Sequence, residues 1–151
     1  MKKITFGLLI VLISLITACS STATPSSSTT LSGAEFTLVA TDIVYDKKTL
    51  EVTAGQPLKI IFRNDGFLEH DFSIMKIAHS GTVMTHEDHG MGGHDMGHMH
   101  EQPDVHVAAA MNGGSSTLEF TPSEPGEYEY YCTVAGHKEA GMVGKLIVTA
   151  P

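Results

Sequence analysis

The sequence predicts an all-β fold, a sandwich of about seven or eight short strands. Three observations predict it. Apolar residues alternate with polar ones in short runs, the period of a half-buried strand. Turn chemistry separates those runs, in AGQP, NDG, NGG and TPSEPG. Beyond the N-terminal run, no segment carries an apolar stripe at helical spacing. Strands with one apolar face must cover it, and a second sheet does so.

The chain begins MKKITFGLLIVLISLITACS, in which Lys2 and Lys3 precede an apolar run from Ile4 to Ala18. That run is short for a membrane span, which takes roughly 20 residues, and suits the core of a signal peptide. Small residues lead into Cys19 in an order that resembles a bacterial lipobox. Residues 1–18 therefore read as a lipoprotein signal peptide and Cys19 as the lipidated first residue of the mature chain. The expected location is extracytoplasmic, as a cell-membrane lipoprotein facing the periplasm or exterior. Acyl chains on Cys19 hold it there. Residues 19–33, rich in Ser and Thr, bury too little to fold and form a tether of roughly 20 Å average span. The folded domain is expected over 34–151.

Its strands follow in order. Phe36, Leu38 and Ala40 alternate with Glu35, Thr37 and Val39, then Leu50 and Val52 with Glu51 and Thr53, then Leu58, Ile60 and Phe62 with Lys59, Ile61 and Arg63. Phe72 and Ile74 continue after NDG; Val105, Val107 and Ala109 form a weaker run; Leu118 and Phe120 follow NGG. EYEYYC and GKLIVTA close the domain. One segment breaks the rhythm. Residues 79–104 have no period, many glycines and no apolar face, and read as one long loop.

Charge narrows the partners. Residues 1–18 hold two basic and no acidic residues, leaving 7 Lys+Arg against 17 Asp+Glu, a charge of −10 on the mature chain. That disfavours nucleic acid and is compatible with a basic protein partner.

The strongest chemistry lies at EYEYYC. Tyr128, Tyr130 and Cys132 share one face of the strand, and Glu127 and Glu129 mark the wet face. Cys132 therefore faces inward at a strand end. With Cys19 lipidated it has no disulfide partner, and metal ligation is one reason for an exported thiol to stay reduced. The next residues are CTVAGHKEAGM. A thiol, the imidazole of His137 and the thioether of Met142 sit on one loop bent by Gly136 and Gly141. Two His and one Cys with a weak axial Met are diagnostic of an electron-transfer copper site. Zinc takes thioethers poorly. The second imidazole must come from another strand. His70, just before DFSIMKI, is the candidate, with His106 the other His near a strand start.

Here the chain resembles the cupredoxins, the blue copper proteins typified by plastocyanin, azurin and auracyanin. NDGFLEHDF around His70 and GEYEYYCTVAGHKEAGMVGKLIV carry the resemblance, which runs from Ala34 to Ala150. It implies a Greek-key sandwich with one copper. His70, Cys132 and His137 would be equatorial ligands and Met142 the axial one. It implies electron transfer between a redox donor and acceptor, with no catalysis. The His-Cys wiring of multi-copper enzymes is absent, because residue 131 is Tyr. Relatives often carry Asn directly after the first His. Here Asp71 stands there, which leaves open the hydrogen bond that usually ties the two ligand loops. Phe67, Leu68, Val134, Ala135 and Ala140 would form an apolar rim where a partner docks.

A second candidate metal set lies in and beside the long segment. It comprises His79, Met84, His86, His89, Met91, His94, Met96, His98, Met99, His100 and His106. Imidazoles suit Cu(II), thioethers suit Cu(I), and interspersed Gly lets the chain wrap a metal weakly. Three readings stand: copper collection for delivery, storage or resistance with a copper-trafficking partner, partner docking, or a solvated insertion. The joint bias to His and Met favours metal binding.

Overall fold

The computed structural model describes residues 33–87 and 102–151. The expected signal peptide, Cys19 and nearly all of the tether lie outside the described residues, as do His89, Met91, His94, Met96, His98, Met99 and His100. Among the described residues are ten strands. They are β1 (Ala34–Thr41), β2 (Val44–Tyr45), β3 (Thr49–Thr53), β4 (Leu58–Asn64), β5 (His70–Ile74), β6 (His79–Glu87), β7 (Val105–Ala109), β8 (Gly114–Pro122), β9 (Gly126–Tyr131) and β10 (Val143–Thr149). Two five-stranded sheets pack face to face, in the orders β2-β1-β4-β8-β6 and β3-β10-β9-β5-β7. The all-β sandwich is as expected. β1 with β4 and β3 with β10 pair in parallel, which requires crossovers between strands distant in sequence.

The alternation read from the sequence is the one that builds the core. Leu38 and Ala40 of β1, Leu58, Ile60 and Phe62 of β4 and Leu118 and Phe120 of β8 point inward from one sheet. Phe72 and Ile74 of β5, Tyr130 of β9 and Leu146 and Val148 of β10 meet them from the other. Tyr45 and Tyr130 pack edge to face at 5.5 Å between ring centroids, and Phe72 lies 5.1 Å from Tyr130.

Two strands depart from the sequence reading. β2 is only two residues long and follows a tight turn at Asp42 and Ile43, both in left-handed backbone (φ 37° and 67°). β6 occupies the first third of the segment expected to be loop. It pairs with β8 from His79↔Pro122 to Glu87↔Ser116, with a bulge between Ser80 and Met84. It was hidden because it is an edge strand on which, over residues 79–86, only His79 and Val83 are partly buried, so it shows no alternation. Gly81 at φ 75° and the bulge fit the protected edges of natural sheets.

One end of the sandwich collects the functional candidates. Asn64↔Gly114, His70↔Ala109 and Tyr131↔Val143 mark that end in the two sheets. Residues 65–69, 110–113 and 132–142 connect strands there. β6 also runs toward it, because Glu87 lies opposite Ser116, two residues from Gly114 along β8.

Candidate metal centre

Cys132 follows β9 directly and is fully buried, continuing the inward parity of Tyr128 and Tyr130. The loop after it is a web of short backbone bonds. His137 N–H donates to Val134 O at 3.0 Å, and Ala140 N–H to Gly136 O at 3.0 Å. Met142 N–H donates to His137 O at 2.9 Å, and Cys132 N–H to Met142 O at 3.2 Å. Gly136 and Gly141 take φ 83° and 95°, the left-handed bends expected of them. Lys48 reaches across from outside the sheet and donates to Gly141 O at 3.0 Å and Val143 O at 3.2 Å.

His70 opens β5, and its approach is fixed by Asn64. The Asn64 amide donates to Leu68 O at 2.8 Å and accepts from Gly66 N–H at 3.0 Å, closing the turn on a fully buried side chain. Asn112 N–H donates to Gly66 O at 2.9 Å, which joins the 110–113 turn to the same loop.

These elements bring His70, Cys132 and His137 together. One ligand atom from each lies within 4.8 Å of the others, and all three residues are buried. Cys132 Sγ is 3.4 Å from His137 Nδ1 and 4.0 Å from His70 Nδ1. The imidazole rings stand 5.0 Å apart. The His70 Nε2 atom is buried without a hydrogen-bond partner. Burial, then the neighbouring charge of His137, lowers the pKa of His70, so its imidazole is neutral and ligand-competent at neutral pH. Burial, then the charge of Asp71, pushes the Cys132 thiol up to about 11. The metal-free thiol is therefore protonated and a poor nucleophile. Soft sulfur and two imidazoles converging in a buried site fit copper, and they leave no acid among the three donors. Met142, also fully buried, ends the same loop.

The tie between the ligand loops is present, in altered form. Asp71 accepts from Thr133 N–H at 3.0 and 3.1 Å through its two oxygens, and from Thr133 Oγ at 2.7 Å. A carboxylate thus does what the sequence left open. Tyr45, absent from the sequence reading, donates its hydroxyl to Asp71 O at 2.5 Å. Burial, first, and the Cys132 and Asp71 charges hold that phenol far above its usual range. No local signal marks Tyr45, because its role depends on a contact 26 residues away.

Four of the five residues expected at the apolar rim are exposed. Phe67 is 79% exposed and Leu68 45%, and Ala135 and Ala140 are exposed, while Val134 packs partly on the core. Met111, 44% exposed in the adjoining turn, was not among the expected rim residues. The second metal set is not assembled among the described residues. His79 opens β6 opposite Pro122, with a buried Nδ1 that lacks a partner. Met84 and His86 lie on the exposed side of β6, and His106 sits on the other sheet, 2.8 Å from Ser73 Oγ.

Comparison with known proteins places this geometry. Residues 34–149 match the model of a family described as copper binding proteins, plastocyanin/azurin family. The chain is 28% identical over 133 residues to the copper-resistant cuproprotein CopI of Pseudomonas aeruginosa, covering 74% of each chain. It is 32% identical over 105 residues to CopI of Rubrivivax gelatinosus, covering 69% of this chain and 59% of that one. Among solved structures, reduced auracyanin from Roseiflexus castenholzii superposes with a TM-score of 0.57 at 24% identity. That match covers 76% of this chain and 96% of the auracyanin, and shows the shared fold.

Proposed function

The chain belongs to the plastocyanin/azurin family of copper-binding proteins, and from that premise we propose that it is a membrane-tethered type 1 copper electron carrier. The observation that carries this reading is the convergence of two imidazoles and one thiol at the buried end of the sandwich. Copper held there supplies one-electron exchange between Cu(I) and Cu(II). His70, Cys132 and His137 would hold the copper, with the Met142 thioether as a further, weak donor. The hydrogen-bonded 132–142 loop and the Asp71 tie keep the donors at fixed spacing, so little rearranges between oxidation states. With four protein donors no position remains for substrate, which favours a carrier over an enzyme. Electrons cross near His137, inside the rim of Phe67, Leu68, Ala135 and Ala140. A small apolar contact of that kind suits brief docking of a redox donor and then an acceptor. Lipid on Cys19 would hold the domain at the membrane, on the exported side.

A second reading is favoured by two observations. The CopI relatives are named copper-resistant cuproproteins. β6 also runs toward the metal end of the sandwich and ends at Glu87, within the His/Met-rich stretch of the sequence. On that reading the stretch gathers copper for delivery, storage or resistance. The separating experiment compares the intact protein with one lacking residues 88–101, measuring bound copper and the rate of electron exchange. Unchanged stoichiometry and rate support the carrier. Loss of copper equivalents with the blue site intact supports the copper-handling role.

A further inference from the structure

We propose that Asp71 biases the copper site toward its oxidised state, as a fixed negative charge beside the ligand sulfur. The proposal rests on the copper-cycling reading above. Asp71 is 4% exposed, and its Oδ2 lies 3.8 Å from Cys132 Sγ. Its oxygens accept from Thr133 N–H, Thr133 Oγ and, at 2.9 Å, Ser73 Oγ. That set of donors suits a carboxylate, which accepts at both of its oxygens. Ser73 has a single hydroxyl proton. With that proton on Asp71, its oxygen accepts from His106 Nδ1–H at 2.8 Å. The carboxylate is thus locked by β5, β7 and the chain after β9, and does not swing away when the metal changes charge.

The consequence follows from charge. When the site takes one electron from a reduced partner, copper loses one positive charge, and the thiolate and Asp71 anion are less compensated. When it gives that electron to an oxidised partner, the compensation returns. A fixed anion therefore stabilises Cu(II) over Cu(I), the more so because a buried site screens poorly. The Thr133 and Ser73 donors partly offset that charge, so removing a donor should act opposite to removing the charge. A purely structural role would not produce opposite signs.

The test uses the full-length protein and measures Cu(II) and Cu(I) affinities separately, by competition with chelators of each ion, together with the reduction potential. Asp71→Asn, near-identical in shape, should shift the Cu(I):Cu(II) affinity ratio at least tenfold toward Cu(I). For one electron that is a rise of about 59 mV. Thr133→Val should shift the ratio the other way, and it carries the test alone if Asp71→Asn does not fold. Equal changes in both affinities, no change, or a Thr133→Val shift toward Cu(I) would overturn the proposal. A wild-type protein that binds copper without a visible band fails the carrier reading. An intact band with an unmoved ratio fails only the role of Asp71.

Discussion

Gly144 is where the structure leaves least room for change. It lies on β10 directly opposite Tyr130 of β9, and the Tyr130 ring covers it. A Cβ at 144 would overlap Tyr130 Cζ, Oη and Cε2, well inside the 3.0 Å that real Cβ atoms respect. The ring has no free direction. It is fully buried, packed on Tyr45 and Phe72, and its hydroxyl donates to Lys47 O at 2.7 Å. Overpacking of a tight core costs about 1–3 kcal/mol. If the ring shifts enough to lose its hydroxyl bond, the stranded group adds about 1–3 kcal/mol. Gly144→Ala should therefore destabilise the metal-free protein by about 1–3 kcal/mol, and by about 2–6 kcal/mol if that bond is lost. Urea unfolding followed by circular dichroism measures this directly. A second variant, Tyr130→Leu with Gly144→Ala, opens the space over residue 144, so the two changes should cost less together than their sum. A Gly144→Ala protein within about 0.5 kcal/mol of wild type, the usual spread for harmless surface changes, would refute the steric argument.

Copper must displace the proton of a thiol whose pKa is about 11, so apparent affinity should rise about tenfold per pH unit between roughly pH 7 and 9; competition titrations that show no slope would contradict this. The same raised pKa means the native metal-free protein holds that proton longer than the unfolded chain. Its contribution is complete below pH 9 and is lost as pH climbs to about 11, and a Cys132→Ala protein should lack that part of the alkaline slope. Gly141→Ala forces a side chain into φ 95° one residue before Met142, which should cost about 1–2 kcal/mol and alter the visible spectrum of the copper form; an unchanged melting curve and spectrum would argue against a tightly held axial loop.

Much of this fold was legible in the chain because one face of each inner strand is buried. Leu58, Ile60 and Phe62 had to alternate, and so did Tyr128, Tyr130 and Cys132. The ligand loop was legible for a related reason. CTVAGHKEAGM carries three donors within one loop, and glycine at 136 and 141 supplies the backbone bends that loop requires. β6 was not legible, since an exposed edge strand gives no alternation to read. Asp71 was visible as a departure from the family pattern, yet its effect was not. Whether a carboxylate could tie the loops depended on the position of Thr133, which is distant in sequence. Tyr45 was hidden more completely, as its function is a single hydroxyl bond to the backbone of Asp71. Local pattern reports what a residue faces, and long-range hydrogen bonds report what it holds.

The central claim is that His70, Cys132 and His137 hold a type 1 copper. The most direct measurement is the visible and EPR spectrum of the copper-loaded protein, wild type beside Cys132→Ala. Wild type should show an intense visible band with a thiolate-copper EPR signature, and no such band should form without the Cys132 sulfur. A colourless copper-loaded wild type, or a band that survives in Cys132→Ala, would contradict it.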